Sequence, residues 1–190
     1  MKEVVKLMDY RPDIKIVDAT LRDGGLVNNF RFTDEFVKDL YQTNIKAGVD
    51  VMEFGYKADK EMFDVKDFGK WKFCDDEDIR AVVGDNNTDL KIAVMADVGR
   101  CNYKQDIKPR AESPVDVIRV ATYINQIPAA VDVIEDAVAK GYEVTCNIMA
   151  ISNAQEADIR VALDLLGKSP VNVIYIVDCL LYTSDAADEL

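Results

Sequence analysis

The feature that most constrains the fold is a repeated alternation of short apolar runs with amphipathic segments of helical period. The apolar runs, which predict strands, fall at residues 14–18, 49–55, 90–96, 115–121, 143–151 and 171–178. Strands that are apolar along almost their whole length are typical of a parallel sheet covered on both faces. The sequence therefore predicts an α/β fold with about six βα units.

Helix boundary signals support this repeat. Thr33 is suited to cap the helix that follows it, because its hydroxyl can accept a hydrogen bond from the first turn. Gly48, Gly141 and Gly167 each stand between a helical segment and the next strand, where a left-handed C-terminal cap favours glycine. Two architectures fit the pattern: an open doubly wound sheet and a (β/α)8 TIM barrel.

Polar residues interrupt or end most of the predicted strands. Glu53, Arg119 and Asn147 lie within strands, and Asp18, Asp97 and Asp178 end them. In a barrel the carboxyl ends of the strands converge on one mouth, where such enzymes carry out their chemistry. Each of these residues can equally pair with another inside the barrel or cap a loop.

The most specific motif follows the first strand at once and reads Asp-Ala-Thr-Leu-Arg-Asp-Gly-Gly, residues 18–25. Asp23 offers a carboxylate to a hard divalent cation, and the Arg22 guanidinium can stabilise an enolate or carboxylate oxygen. Gly24 and Gly25 are expected to let the chain turn sharply and approach a ligand. From spacing alone, an ordinary polar loop with an Arg–Asp contact explains the motif as well.

The motif resembles the D-x-T-L-R-D-G signature of the HMG-CoA lyase-like metal-dependent lyases and synthases, which include the 4-hydroxy-2-oxovalerate aldolases. The resemblance implies a (β/α)8 barrel, a divalent metal (Mn2+ or Mg2+), and a reaction that makes or breaks a carbon–carbon bond beside a keto or acyl group. It implies that Asp23 is a metal ligand and that Arg22 is the catalytic arginine that stabilises the enolate. Glu53 resembles the active-site glutamate of the family.

The sequence departs from the better-known branches of that family. In the 4-hydroxy-2-oxovalerate aldolases a catalytic histidine stands three residues after the aspartate, where this chain has Leu26. The family takes its other metal ligands from a His-x-His on the seventh strand, but this sequence contains no histidine. The RDGG form resembles a bacterial subgroup described only as aldolase-like, so the resemblance does not carry over a substrate.

The length of the chain also predicts an incomplete barrel. A (β/α)8 barrel needs about 250 residues, and this chain has 190. Residues 179–190 look like the translation of a transposase mosaic end and adapter from a sequencing library. We therefore predict that residues 1–178 are the N-terminal part of a TIM-barrel catalytic domain and that 179–190 are a non-native tail. An incomplete metal site and an inactive fragment are expected as a result.

Composition excludes some classes of function. The formal net charge is −12, so the basic patch of a nucleic-acid binder is not expected. No apolar run approaches the length of a membrane span or a signal peptide. The four cysteines form no CxxC pair and indicate free thiols in a reducing compartment, so the cytoplasm is the expected location. Unpaired strand edges favour self-association, so a homo-oligomer is among the expectations from the sequence.

The leading functional hypothesis is a metal-dependent aldolase or carbon–carbon lyase that acts on a small 2-keto acid of the pyruvate type through an enolate. An acyl-CoA-dependent condensing synthase is the alternative within enzymes. A flavodoxin-like α/β module that binds a ligand or partner is the non-enzymatic alternative. Residues 58–73, a long lysine-containing connection after the second strand, suggest a lid, a site for an anionic substrate tail, or an irregular surface insertion.

Overall fold

Six parallel strands form one curved sheet in the order of the sequence. The computed structural model describes residues 13–177. Within this range the strands are β1 (Val17–Asp18), β2 (Val51–Tyr56), β3 (Lys91–Asp97), β4 (Val117–Tyr123), β5 (Glu143–Met149) and β6 (Val173–Ile176). A doubly wound sheet reverses its strand order at a switch point, whereas this order is that of successive barrel strands. The fold is an incomplete (β/α)8 barrel, and the strand order excludes the flavodoxin-like alternative.

Helices connect the strands and cover one face of the sheet. They are α1 (Thr20–Asn28), α2 (Asp34–Ala47), α3 (Asp76–Val83), α4 (Tyr103–Asp106), α5 (Ile127–Ala139) and α6 (Glu156–Lys168). Short 3-10 turns lie at Lys70–Lys72, Arg110–Glu112, Ile124–Gln126 and Ile151–Asn153. The predicted cap of α2 is confirmed, because Thr33 Oγ1 accepts a hydrogen bond of 3.3 Å from the Phe36 amide. Gly48 ends the same helix with a φ of 71°.

The glycine pair of the motif does not form the expected turn. Gly24 and Gly25 both lie inside α1, directly after the first strand. A Cβ on Gly25 would stand 2.1 Å from Cδ1 of Phe30, whereas a Cβ on Gly24 would only touch the Phe32 ring at 3.4 Å. Gly25 is therefore needed for close packing against Phe30, and the expectation of a sharp turn at these glycines is wrong.

A second glycine also differs from its predicted role. Gly167 is the penultimate residue of α6 rather than its cap, and it does not have a positive φ. Ser169 follows the helix, and its hydroxyl donates to the Leu166 carbonyl at 2.7 Å. The end of α6 therefore does not require the left-handed conformation that favours glycine.

The two faces of the sheet differ in chemistry. Phe54, Ile92, Ile118 and Ile148 are fully buried. They alternate along their strands with Glu53, Arg119, Thr145 and Asn147, which lie on the inner, concave face. Since successive side chains of a strand point to opposite faces, the helices cover an apolar face while the inner face is partly polar. A cavity of about 760 Å³ lies at the amino ends of the strands, and Arg119, Thr145 and Tyr175 of the inner face reach it.

Within residues 13–177, β1 and β6 each pair on one side only. Apolar side chains are exposed beside both strands, with Ile16 58 % exposed and Ile176 55 % exposed. The predicted division at residue 178 and the predicted non-native tail lie outside the described residues. In the described part of the chain no helix combines the length and the apolar character that a membrane crossing needs.

Replacing Gly25 by Ala should lower the free energy of unfolding by about 2 kcal/mol or more, because the new methyl group overpacks the Phe30 ring. Gly24→Ala is the matched control in the same helix. It should leave stability unchanged or raise it by up to about 1 kcal/mol, since alanine favours helix over glycine. Urea unfolding followed by circular dichroism measures both variants. Equal stabilities for the two would contradict the packing role of Gly25.

Candidate active site

The Arg22 side chain lies at the carboxyl end of β1, in the first turn of α1. Its Nε donates to Glu53 Oε2 at 2.9 Å, and its Nη1 donates to Asp23 Oδ1. The structure thus brings together the three residues that the sequence singled out. Guanidinium has five N–H donors in a fixed plane, so donors remain for a ligand after these two contacts.

Glu53 is the buried centre of this group. Its side chain is fully buried, and Oε2 accepts hydrogen bonds from both Arg22 and Arg119. Burial raises the pKa of Glu53 above its ordinary value, and the two guanidinium groups oppose that effect. Because an unpaired buried carboxylate is very costly, both arginines are needed to hold it as a charged group.

Arg119 is the site residue that the sequence analysis did not commit to. It lies on β4, where it was noted as a polar interruption of an apolar strand. Its guanidinium carbon is 5.0 Å from the centroid of the Tyr175 ring. The signal in the sequence was a charged residue in the middle of a buried strand, which almost always requires a partner. The sequence alone did not identify Glu53 as that partner.

The other residues near the strand ends have two kinds of role. Asp18 supports neighbouring helices, whereas Asp97 and Tyr56 lie near Arg22 at the mouth. Asp18 accepts hydrogen bonds from Thr20 and Asn44, so it fixes the start of α1 and the packing of α2. Asp97 lies within electrostatic reach of Arg22, and burial raises the pKa of Asp97 above its ordinary value. Tyr56 also interacts with Arg22, and burial raises the pKa of Tyr56 to about 12. The phenol is therefore protonated at neutral pH and can act as a hydrogen-bond donor.

The segment from residue 58 to 73 packs against the mouth. Trp71 is fully buried, and a Cβ on Gly55 of β2 would stand 1.9 Å from its carbonyl oxygen. The Gly69 amide donates to the Asn29 carbonyl at 2.7 Å, next to the end of α1. These contacts tie residues 69–73 to β2 and α1, whereas residues 60–67 contain no helix or strand and are mostly exposed.

The described residues do not complete a metal site. Among residues 13–177, no group of three or more histidine, cysteine, aspartate and glutamate side chains is arranged to hold a metal ion. The Asp23 side chain is 59 % exposed and is paired with Arg22. Glu53 is enclosed by cations. A single available carboxylate does not fit a divalent cation, which prefers several oxygen ligands.

Comparison with known proteins gives relatives of one kind. No family model matches the chain. A 4-hydroxy-2-oxovalerate aldolase of Rhodococcus jostii is 28 % identical over 145 residues, which are 76 % of this chain and 40 % of the relative. An aldolase of the same name from Pelotomaculum thermopropionicum is 26 % identical over 168 residues, or 88 % of this chain and 48 % of the relative. The chain thus spans less than half the length of these curated relatives.

A solved structure supports the fold. The crystal structure of the N-terminal domain of a "putative aldolase" from Bacteroides vulgatus aligns with a TM-score of 0.55 and 20 % sequence identity. The alignment covers 86 % of this chain and 62 % of that domain. At this identity the likeness concerns the arrangement of strands and helices alone. It agrees with the sequential order of the six parallel strands.

Replacing Arg119 by Met should lower the free energy of unfolding by about 3 kcal/mol or more at neutral pH, because Glu53 then keeps only one of its two cations. Arg160→Met on the exposed face of α6 is the control, because both side chains of the Arg160–Glu156 ion pair are exposed. That control should change stability by no more than about 0.5 kcal/mol. Chemical denaturation of the two variants measures the difference, and similar small effects would show that Arg119 does not support Glu53.

Proposed function

Because the chain belongs to the HMG-CoA lyase-like family of lyases and aldolases, we propose that the whole protein is an aldolase acting on a small 2-keto acid of the pyruvate type. The observation that carries this proposal is the position of Arg22. Its guanidinium is held at the mouth by a buried carboxylate while some of its donors remain free. A fixed cation of this kind suits an oxygen that gains negative charge during the reaction.

Aldol cleavage creates that charge. When a 4-hydroxy-2-oxo acid gives its C4 hydroxyl proton to a base, the C3–C4 bond breaks, an aldehyde leaves, and the bonding electrons form the enolate of pyruvate, which becomes pyruvate when C3 takes up a proton. The negative charge develops on the former keto oxygen, where N–H donors of Arg22 can stabilise it. Glu53 holds the guanidinium in place before the reaction begins, so little reorganisation is needed. Tyr56 can donate a further hydrogen bond at the same mouth.

The names of the curated relatives favour this reaction over condensation with an acyl-CoA, because they are 4-hydroxy-2-oxovalerate aldolases. We therefore take 4-hydroxy-2-oxovalerate as the first substrate to test.

A divalent cation, Mn2+ or Mg2+, belongs to the proposal only for the whole enzyme. Asp23 is the residue that would bind it, because its carboxylate is exposed at the mouth. When bound, such a cation supplies Lewis acidity toward a keto oxygen. The remaining ligands would have to come from outside residues 13–177, since the described residues offer no cluster that holds a metal.

Arg22→Lys in the whole enzyme should reduce kcat by about a hundredfold or more, because an ammonium group cannot keep both Glu53 and Asp23 while facing the enolate. Lys46→Met, on the outer surface of α2, is a control that should retain activity. Pyruvate release from 4-hydroxy-2-oxovalerate, coupled to NADH oxidation by lactate dehydrogenase, measures the rate. Full activity in Arg22→Lys would overturn the role given to Arg22.

The chain of 190 residues should bind Mn2+ only weakly, with no change in affinity when Asp23 is replaced by Asn. The reason is that one exposed carboxylate gives little affinity without further ligands. Isothermal titration calorimetry of the two proteins measures both affinities. Micromolar binding that depends on Asp23, together with turnover, would show that this chain already contains a complete site.

A further inference from the structure

Lys72 is a buried cation that the proposed function has not used. It ends the 3-10 turn Lys70–Lys72 beside the mouth, and the residue is only 8 % exposed. Its backbone carbonyl accepts a hydrogen bond of 3.2 Å from the Ala58 amide, which fixes the main chain at this point. A lysine this deeply buried almost always has a charged partner, so its surroundings need an explanation.

Four aromatic rings surround the Lys72 ammonium. Its Nζ lies 4.4 Å from the centroid of the Phe63 ring, 4.5 Å from Tyr56, 5.1 Å from Phe30 and 5.7 Å from Phe68. Ring faces attract a cation, so they stabilise the ammonium in this place. They provide no oxygen, however, and therefore do not satisfy its three N–H donors.

Lys72 lacks the oxygen partners that neighbouring lysines have. Within residues 13–177 its Nζ makes no hydrogen bond or ion pair, whereas three lysines close to it in the chain are paired: Lys57 with Asp76, Lys60 with Asp75, and Lys70 with Asp34. Nor is its Nζ among the partnerless atoms that are sealed from solvent. The ammonium is thus unpaired, and it is not completely sealed from solvent.

The cage connects Lys72 to the candidate active site. Tyr56 forms one wall of the cage and also interacts with Arg22. Asp97, at the end of β3, interacts electrostatically with Lys72, Arg100 and Arg22. Burial lowers the pKa of Lys72, while Asp97 opposes that effect. Arg22 already has Glu53 and Asp23 as partners, so the ammonium of Lys72 is the charge that favours an anion on this side of the mouth.

We propose that Lys72 binds the carboxylate group of the substrate, while Arg22 faces the keto oxygen of the same molecule. The inference rests on the proposed function, because it assigns the second end of a 2-keto acid to a particular side chain. A carboxylate would give the three N–H donors of Lys72 the acceptor they lack, in a site where the aromatic rings exclude most water. Charge-assisted hydrogen bonds of this kind are stronger than neutral ones. Lys72 is then a specificity residue for anionic substrates.

The test uses pyruvate as the probe and the full chain without added metal. Titrations monitored by calorimetry and by amide NMR shifts compare wild type with Lys72→Met, Lys72→Arg and Lys60→Met. Lys72→Met should weaken pyruvate binding by about tenfold or more, the loss expected for one charged hydrogen bond. Lys72→Arg keeps the charge in the cage and should bind within a few fold of wild type. Lys60→Met, from the same segment but with an exposed ion pair, should bind as wild type does.

Circular dichroism and unfolding curves establish that each variant is folded before its affinity is compared. Because methionine fits an aromatic cage, Lys72→Met should not lose stability. If it does, Lys72→Arg together with Lys72→Gln supplies the same comparison of charge against no charge. Wild-type affinity in the uncharged variants would overturn the proposal, as would the absence of pyruvate binding to the wild-type chain.

Further binding measurements distinguish a failure of the role given to Lys72 from a failure of the proposed function. Pyruvate binding that is lost in Arg22→Lys but kept in Lys72→Met would overturn the role of Lys72 and leave the function standing. Acetate that binds through Lys72 as tightly as pyruvate would support a carboxylate site but contradict the 2-keto acid function. Tighter, Lys72-dependent binding of inorganic phosphate would overturn the assignment to a carboxylate. Borohydride trapping of pyruvate on Lys72 would overturn ionic binding in favour of an imine.

Discussion

The burial of Glu53 is the constraint on which the arrangement of the mouth depends. A carboxylate with no exposure remains charged only if cations replace the water that it has lost. Arg22 approaches it from α1 and Arg119 from β4, so residues far apart in the chain meet at one oxygen. Glu53 and Arg119 lie on the same face of the sheet, two strands apart, so their long side chains meet across β3. The strand order and the site geometry are therefore linked by one carboxylate.

The sequence predicted the repeated units well because their signals are local. Thr33 and Gly48 mark the ends of α2 by capping chemistry that involves only nearby backbone groups. The glycines of the motif were misread because glycine permits both a turn and a close contact. Only the position of the Phe30 ring against Gly25 decides between these roles, and that ring is placed by tertiary packing.

The candidate site also combines features that the sequence predicts with features that depend on tertiary packing. Arg22, Asp23 and Glu53 could be selected from the sequence by a motif and a polar residue in an apolar strand. The contact of Arg119 with Glu53 depends on the order and register of β2, β3 and β4, which hydrophobic patterns do not specify. The aromatic cage of Lys72 brings Phe30 from the end of α1 together with Tyr56 of β2 and two rings of the following segment. Their sequence positions show no periodicity, so no pattern predicts the cage.

The charged groups at the mouth differ in how many hydrogen-bond partners they already have. This difference distinguishes groups that hold other side chains in place from groups that can bind a ligand. Glu53 has two guanidinium partners, so it serves to hold Arg22 rather than to bind a ligand. Lys72 has rings but no acceptor, and Asp23 extends toward solvent with one partner. A ligand gains most free energy from groups whose hydrogen-bonding capacity is unused and whose positions are already fixed. The unpaired ammonium of Lys72 meets both conditions, because four rings hold it in place without satisfying its donors.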